Sequence, residues 1–231
     1  MSVRVMVLAA GRGERMRPLT DRVPKPMLEV NGRPLIDHHL WALADAGVED
    51  VVVNLGWCGD VLRRHLGDGR RYGLRLRYSE EGWPALETGG GIHRALPLLG
   101  AAPFIVVNGD VYSDLPMQRL VERARSMAMS DLAHLVLVPN PPHHPSGDFA
   151  MHGARVAATD GLAKLTFSGL SVLRPELFAD AQAGAFPLAP LLRAAILQGR
   201  VSAERHDGCW SDVGTPERLA ALNERLGDAG E

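Results

Sequence analysis

The chain begins with an almost uninterrupted apolar run, Val3 to Ala9, that breaks at once into Gly11 and Gly13. A strand without polar alternation is buried on both faces, the condition of a parallel sheet covered by helices. Similar short runs recur at Val51–Leu55, Leu74–Tyr78 and Phe104–Val107. Helical patterns separate them at Pro34–Ala46, Asp60–Leu66 and Gly90–Leu99. In the first of these Leu35, Ile36, Leu40 and Leu43 fall on one stripe, Pro34 suits the start and Gly47 the stop. Repeated β–α–β units predict an α/β fold: a Rossmann-like, mixed but mostly parallel sheet flanked by helices. After a helix near Met117–Ser126 the character changes. Strands at Leu135–Val138, Leu165–Leu173 and Val201–His206 are separated by loops rich in Pro, His and Gly, and Thr215-Pro216-Glu217 opens a last helix.

Bulk properties narrow the function. A chain of 231 residues with 46% hydrophobic and 23% charged residues holds one α/β domain, and we expect residues 1–231 to form a single unit. A formal net charge of −2 gives no general basic field, so no nucleic acid is expected as a partner. No apolar run reaches the length of a membrane span. Cys58 and Cys209 lie far apart, with no metal or disulfide spacing. With no signal-peptide pattern in front of the first strand, the expected location is the cytoplasm.

Any positive site must therefore be local, and one is visible. Leu8-Ala9-Ala10-Gly11-Arg12-Gly13-Glu14-Arg15-Met16-Arg17-Pro18-Leu19-Thr20 joins glycines to arginines directly after a buried strand. It lacks the third glycine of a dinucleotide fingerprint and the G-K-[ST] of a Walker A loop. The backbone N–H groups from Ala10 through Gly11 and Arg12 to Gly13 could cradle phosphate oxygens, with Arg15 neutralising the outer ones. Pro24-Lys25-Pro26-Met27 follows, and the two prolines present Lys25 from a stiff, extended segment, as suits a point charge aimed at phosphate. Asn108-Gly109-Asp110 stands where a buried strand stops, at the carboxyl edge where open α/β sheets bind ligands. Leu86-Glu87-Thr88-Gly89-Gly90-Gly91 is rich enough in glycine for a flat base to lie against bare backbone.

The glycine–arginine loop followed by PKPM resembles the sugar-1-phosphate nucleotidyltransferases. That resemblance implies the nucleotide-diphospho-sugar transferase fold, with a nucleotide-binding half to about residue 115 and a sugar-binding half from about 116 to 231. It implies attack of a sugar 1-phosphate oxygen on the α-phosphate of a nucleoside triphosphate, with pyrophosphate leaving. Arg15 and Lys25 would be the catalytic cations. Asp110, and Asp212 in Trp210-Ser211-Asp212-Val213-Gly214-Thr215, would hold Mg2+. Asn108, Thr88 and Gly89 would contact the nucleotide, and the Phe167-Ser168-Gly169-Leu170 segment would meet the sugar through Ser168 and Gly169. In the loop from Asn140 to Phe149, Asn140 and Asp148 could accept hydrogen bonds from the sugar, whereas His143 and His144 are poorly disposed to share a metal.

Further stretches, among them LETGGGI, VNGDV, TFSGLSVL, LAPLLR and DVGT, resemble a compact branch of the family that serves bacterial peptidoglycan recycling. Its members transfer a uridylyl group from UTP to N-acetylmuramic acid 1-phosphate, and the resemblance implies those substrates and a monomer. Glu87 and Thr88 replace the glutamine-containing segment of many thymidylyl- and uridylyltransferases. A glucose or mannose 1-phosphate nucleotidyltransferase using dTTP, UTP or GTP therefore stays open, as does a catalytically silent nucleotide-sugar sensor.

Overall fold

The computed structural model describes residues 2–158 and 161–228. In chain order the strands are β1 (Arg4–Leu8), β2 (Glu29–Val30), β3 (Arg33–Pro34), β4 (Asp50–Leu55), β5 (Arg75–Glu80), β6 (Phe104–Asn108), β7 (Val111–Ser113), β8 (Ala133–Val138), β9 (Phe149–His152), β10 (Arg155–Ala157), β11 (Lys164–Leu173), β12 (Val201–Arg205) and β13 (Trp210–Asp212). The helices are α1 (Leu35–Asp45), α2 (Gly59–Leu66), α3 (Glu87–Leu99), α4 (Met117–Ser126), α5 (Ala189–Leu197) and α6 (Pro216–Asp228).

Nine strands form one sheet in the order β5-β4-β1-β6-β11-β8-β12-β10-β9, and β9 also pairs with the start of β11. The β5-β4-β1-β6 half is parallel throughout. The chain winds outward from β1 to β4 and β5, then returns through α3 to lay β6 on the other side of β1. The strand order thus reverses between β1 and β6, and such a reversal opens a crevice at the carboxyl ends of the strands. Leu8 and Asn108 pair there. Beyond β6 the sheet turns mixed: β11 runs antiparallel to both β6 and β8, while β12 is parallel to β8.

Period-two geometry explains the packing. Val5 and Val7 of β1, with Val51, Val53, Ile105 and Val107, join a core with α1, α2 and α4 on one face. Met6, Val52 and Val106 join Ile92, Leu99, Leu192 and Ile196 from α3 and α5 on the other. Val5, Met6 and Val7 are all fully buried, as a parallel strand covered twice requires.

Local details depart from the sequence reading at three places. Pro34 precedes α1, pairing with Glu29 in a two-stranded ribbon, and is not its first turn. The glycines of 89–91 lie inside the first turns of α3, which starts at Glu87. The short strands β7 and β13 were not anticipated, and they pair antiparallel with Asp212 opposite Val111. No helix among the described residues is long and apolar enough to cross a membrane.

Candidate active site

The crevice between β1 and β6 is a cleft of about 400 Å³ lined by Ala10, Gly11, Gly13, Arg15, Lys25, Thr88, Asn108 and Asp110, together with Asn54, Glu81, Glu87 and Gly214. The glycine loop forms one wall. The N–H groups of Ala10 to Gly13 donate to no backbone carbonyl among the described residues, so four adjacent donors stay available to an anion. A side chain at Gly11 would project into open space, whereas a Cβ at Gly13, whose φ is +65°, would sit 3.1 Å from the Lys25 stem. Gly13 thus lets the lysine lie directly against the loop.

Lys25 begins a short 3-10 turn after extended Pro24 and is buried except at its tip. Its Nζ stands 2.5 Å from Asp110 Oδ2. The ammonium therefore meets one carboxylate within the cleft that the glycine loop walls. Arg15 projects into the cleft from the turn Glu14–Met16, because Met16 beside it is fully buried and anchors the turn. It pairs with no carboxylate among the described residues, unlike Arg17 with Asp21.

The Asn108-Gly109-Asp110 turn forms as expected. The Gly109 N–H donates to Leu8 O at 2.9 Å, and a Cβ at Gly109 would lie 2.6 Å from that oxygen. Only glycine lets the turn cross so close to the end of β1. Asp212 arrives beside it through the β13–β7 ribbon, where the Val213 N–H donates to Asp110 O at 2.9 Å. The Asp212 carboxylate is held by the Arg218 guanidinium. Its Oδ1 is buried and accepts no hydrogen bond, although His143 Nε2 lies 3.0 Å away at a poor angle.

Other expected residues are placed elsewhere, each for a visible reason. Arg12 turns from the cleft to stack its guanidinium 4.4 Å over the Trp57 ring and to face Glu14 at 3.7 Å. Gly89 is not a bare platform: a Cβ there would lie 2.5 Å from the Phe186 ring, so the glycine admits the segment around Phe186. Asn140 staples its own loop, donating to Pro145 O and Lys164 O and accepting from Thr166. Asp148 accepts from the Phe167 N–H at 2.8 Å and contacts His144 at 3.1 Å. Ser168 is buried in a bulge of β11, donating to Val136 O and accepting from the Leu170 N–H. Gly169, with φ +81°, is the bulge residue that packs directly on the Asn108 side chain.

Asn54 and Glu81 were not foreseen. Asn54 Oδ1 accepts from the Ala9 N–H at 2.6 Å, and its Nδ2 donates to Glu81 Oε1 at 2.6 Å. Glu81 Oε2 then accepts from the Leu86 N–H at 2.8 Å. This chain of bonds ties the glycine loop to the approach of α3, across the cleft. Its sequence signal is that Asn54, like Asn108, is a polar residue at the end of a buried strand. Glu87 lines the same wall with φ +58°, a costly conformation for a side chain of its size.

Comparison with known proteins identifies relatives of the chain. Residues 4–153 match the family described as nucleotidyl transferase. The chain is 49% identical to an N-acetylmuramate alpha-1-phosphate uridylyltransferase of Neisseria meningitidis serogroup B, over 94% of this chain and 95% of that one. It is 36% identical to a protein of the same name from Caulobacter vibrioides, with 97% of each covered. Among solved structures, UDP-glucose pyrophosphorylase complexed with UDP-glucose superposes with a TM-score of 0.80 at 19% identity, over 99% of this chain and 100% of that one, which is a likeness of fold. With a family match over residues 4–153 and similarity running the length of both relatives, this chain belongs to the nucleotidyl transferase family.

Proposed function

We propose that the protein transfers a uridylyl group from UTP to N-acetylmuramic acid 1-phosphate, giving UDP-N-acetylmuramic acid and pyrophosphate. The observation that carries the chemistry is Lys25 Nζ held against Asp110 in a cleft walled by the Ala10 to Gly13 loop, whose N–H groups donate to no backbone carbonyl among the described residues. Similarity along nearly the whole length of two uridylyltransferases, at 49% and 36% identity, supports the choice of base and sugar. On this reading the first half of the chain, to about residue 115, binds nucleotide, and the rest receives the sugar.

The attacking sugar phosphate is already an anion, so the site must overcome repulsion and stabilise charge on the leaving pyrophosphate. In the proposed arrangement Ala10 to Gly13 cradle the β- and γ-phosphates through N–H groups, and the unpaired Arg15 meets the leaving group. Lys25 lies between the loop and Asp110, where it can contact the α-phosphate and the incoming phosphate together. Asn108 and Thr88 orient the nucleotide.

A divalent cation is the family's usual companion, and the residues fit Mg2+. No group of three or more His, Cys, Asp or Glu forms a protein cage among the described residues. Magnesium, however, commonly takes one or two carboxylates and completes its shell with substrate phosphates and water. Asp110 is partly exposed to the cleft, and Asp212 carries a buried oxygen without a hydrogen bond. These two would hold the ion, which when bound neutralises phosphate charge.

The test is pyrophosphate release over a grid of UTP, dTTP, GTP and CTP against muramic, glucosamine, glucose and mannose 1-phosphates, with magnesium present. Turnover should peak at UTP with the muramic compound. Asp110→Asn and Lys25→Ala should each lower kcat by about 100-fold or more. A peak with mannose 1-phosphate and GTP would overturn the substrate assignment, and near-full turnover by either variant would overturn the mechanism.

A further inference from the structure

The Arg218 guanidinium belongs to none of the roles above. It lies against Gly214, a residue of the cleft wall, so closely that a Cβ there would come within 2.6 Å of Arg218 Cζ. A glycine at 214 therefore leaves the guanidinium at the cleft margin. Arg218 is four-fifths buried; its Nη1 meets the Asp212 carboxylate and stands 2.6 Å from His143 Nε2. His143 comes from the opposite direction, on the loop joining β8 to β9 in the half assigned to the sugar. The Arg218 guanidinium from α6 and the His143 imidazole from that loop thus converge on one carboxylate, beside Gly214 of the cleft wall.

N-acetylmuramic acid differs from N-acetylglucosamine by a lactyl ether that ends in a carboxylate. Of the cations in the cleft, Lys25 is engaged with Asp110, and Arg15 lies at the loop end proposed for the leaving pyrophosphate. Building on the substrate reading above, we propose that Arg218, assisted by His143, is the specificity-determining receiver of the sugar-acid carboxylate. In the free protein Asp212 occupies that fork. The incoming carboxylate exchanges with it, one carboxylate for another, and Asp212 is freed to turn toward Asp110. A guanidinium suits the task because its planar donors match a carboxylate in two-point geometry and its charge persists at every relevant pH. A plain hexose phosphate, whose only anion is the reacting phosphate, has no second acidic group to make the exchange.

Calorimetric binding of UDP-N-acetylmuramic acid and UDP-N-acetylglucosamine, without magnesium, separates this role from catalysis. The wild-type protein should prefer the muramic compound. Arg218→Gln should weaken that compound by about 10- to 100-fold, the scale of a lost charged hydrogen bond, and should weaken the glucosamine compound far less. Arg218→Lys should keep part of the preference. The methyl ester of the lactyl carboxyl should bind wild-type protein as weakly as the free acid binds Arg218→Gln, with no further loss when ester and variant are combined. Equal weakening of both UDP-sugars by Arg218→Gln, or an ester that binds wild type as tightly as the acid, would overturn the assignment and leave Arg218 as a support for Asp212. A wild-type protein that binds the glucosamine compound more tightly and turns over only plain hexose phosphates would overturn the substrate reading, and this inference with it.

Discussion

At the scale of single residues, the cleft depends on where the backbone is bare. Gly11 and Gly13 look equivalent in the sequence, yet only Gly13 combines a positive φ with the Lys25 stem at contact distance. Alanine at position 13 adds backbone strain and pushes on a buried lysine; at position 11 it meets nothing. Gly13→Ala should therefore cost about 1–3 kcal/mol of stability and lower kcat by displacing the ammonium, whereas Gly11→Ala should leave folding nearly untouched. Urea denaturation and turnover of the two variants side by side check this, and identical stability losses would contradict it. The same contrast shows what a sequence conceals. That Lys25, Arg15 and Asp110 would gather at one cleft was legible because charge beside glycine and proline has few other uses. Gly89 was misread because composition says that backbone is exposed to something without saying to what, and here the neighbour is Phe186. Asn140, Asp148 and Ser168 were legible as polar groups in the second half, but each spends hydrogen bonds on a neighbouring strand, Asn140 and Asp148 on β11 and Ser168 on β8. Such pairing between strands far apart in the sequence is invisible until the chain is folded.

At the scale of elements, the long strands and helices of the first half were read to within one to three residues at each end, because burial on two faces and a 3.6-residue stripe leave strong periodic signals. The two- and three-residue strands carry none, and β7 and β13 became visible only through their pairing. That ribbon has an unexpected neighbour. His39, on the buried face of α1, bonds the backbone at Val111, and burial holds its pKa down to about 4. Nearby His38 lowers it further and Asp110 raises it slightly, while His39 Nε2 has no hydrogen-bond partner. In the unfolded chain the imidazole takes up its proton near the ordinary value of about 6.5. Between those two values the unfolded state binds the extra proton, so folding stability must fall as pH drops from about 6.5 to about 4, by about 3 kcal/mol in all. Above that window this contribution is fully present. Denaturant titrations at pH 7, 6 and 5 should show the decline, and His39→Leu should flatten it whatever it does to absolute stability. An unchanged slope in the variant would assign the decline to other groups.

At the scale of the whole molecule, the two proposed metal carboxylates come from distant parts of the chain, Asp110 from its middle and Asp212 from near its end. Asp110 follows the central strand β6, but Asp212 precedes the last helix and must be brought back to the first loop. A small third core does this. Leu222 of α6 and Val213 pack with Met16, Leu28, Val30 and Leu35, and the Asn31 N–H donates to Asn223 Oδ1 at 2.6 Å. Met16 is the anchor of the turn that aims Arg15, so one cluster joins the segment of Asp212 to the loop that handles phosphate. Leu222 is nearly fully buried, and Leu222→Ala should cost about 2–4 kcal/mol through the cavity it leaves. Leu192 of α5 is equally buried on the far face of the sheet, in the core with Phe104 and Val201, and Leu192→Ala should cost a similar amount. If the third core serves only stability, the two variants, assayed at a temperature where both are folded, will turn over alike. If it carries Asp212 to Asp110, Leu222→Ala should require more magnesium for half-maximal rate and reach a lower kcat, while Leu192→Ala keeps both near the wild-type values. Equal magnesium requirements in the two variants would separate α6 from the site and return the placement of Asp212 to the β13–β7 ribbon alone.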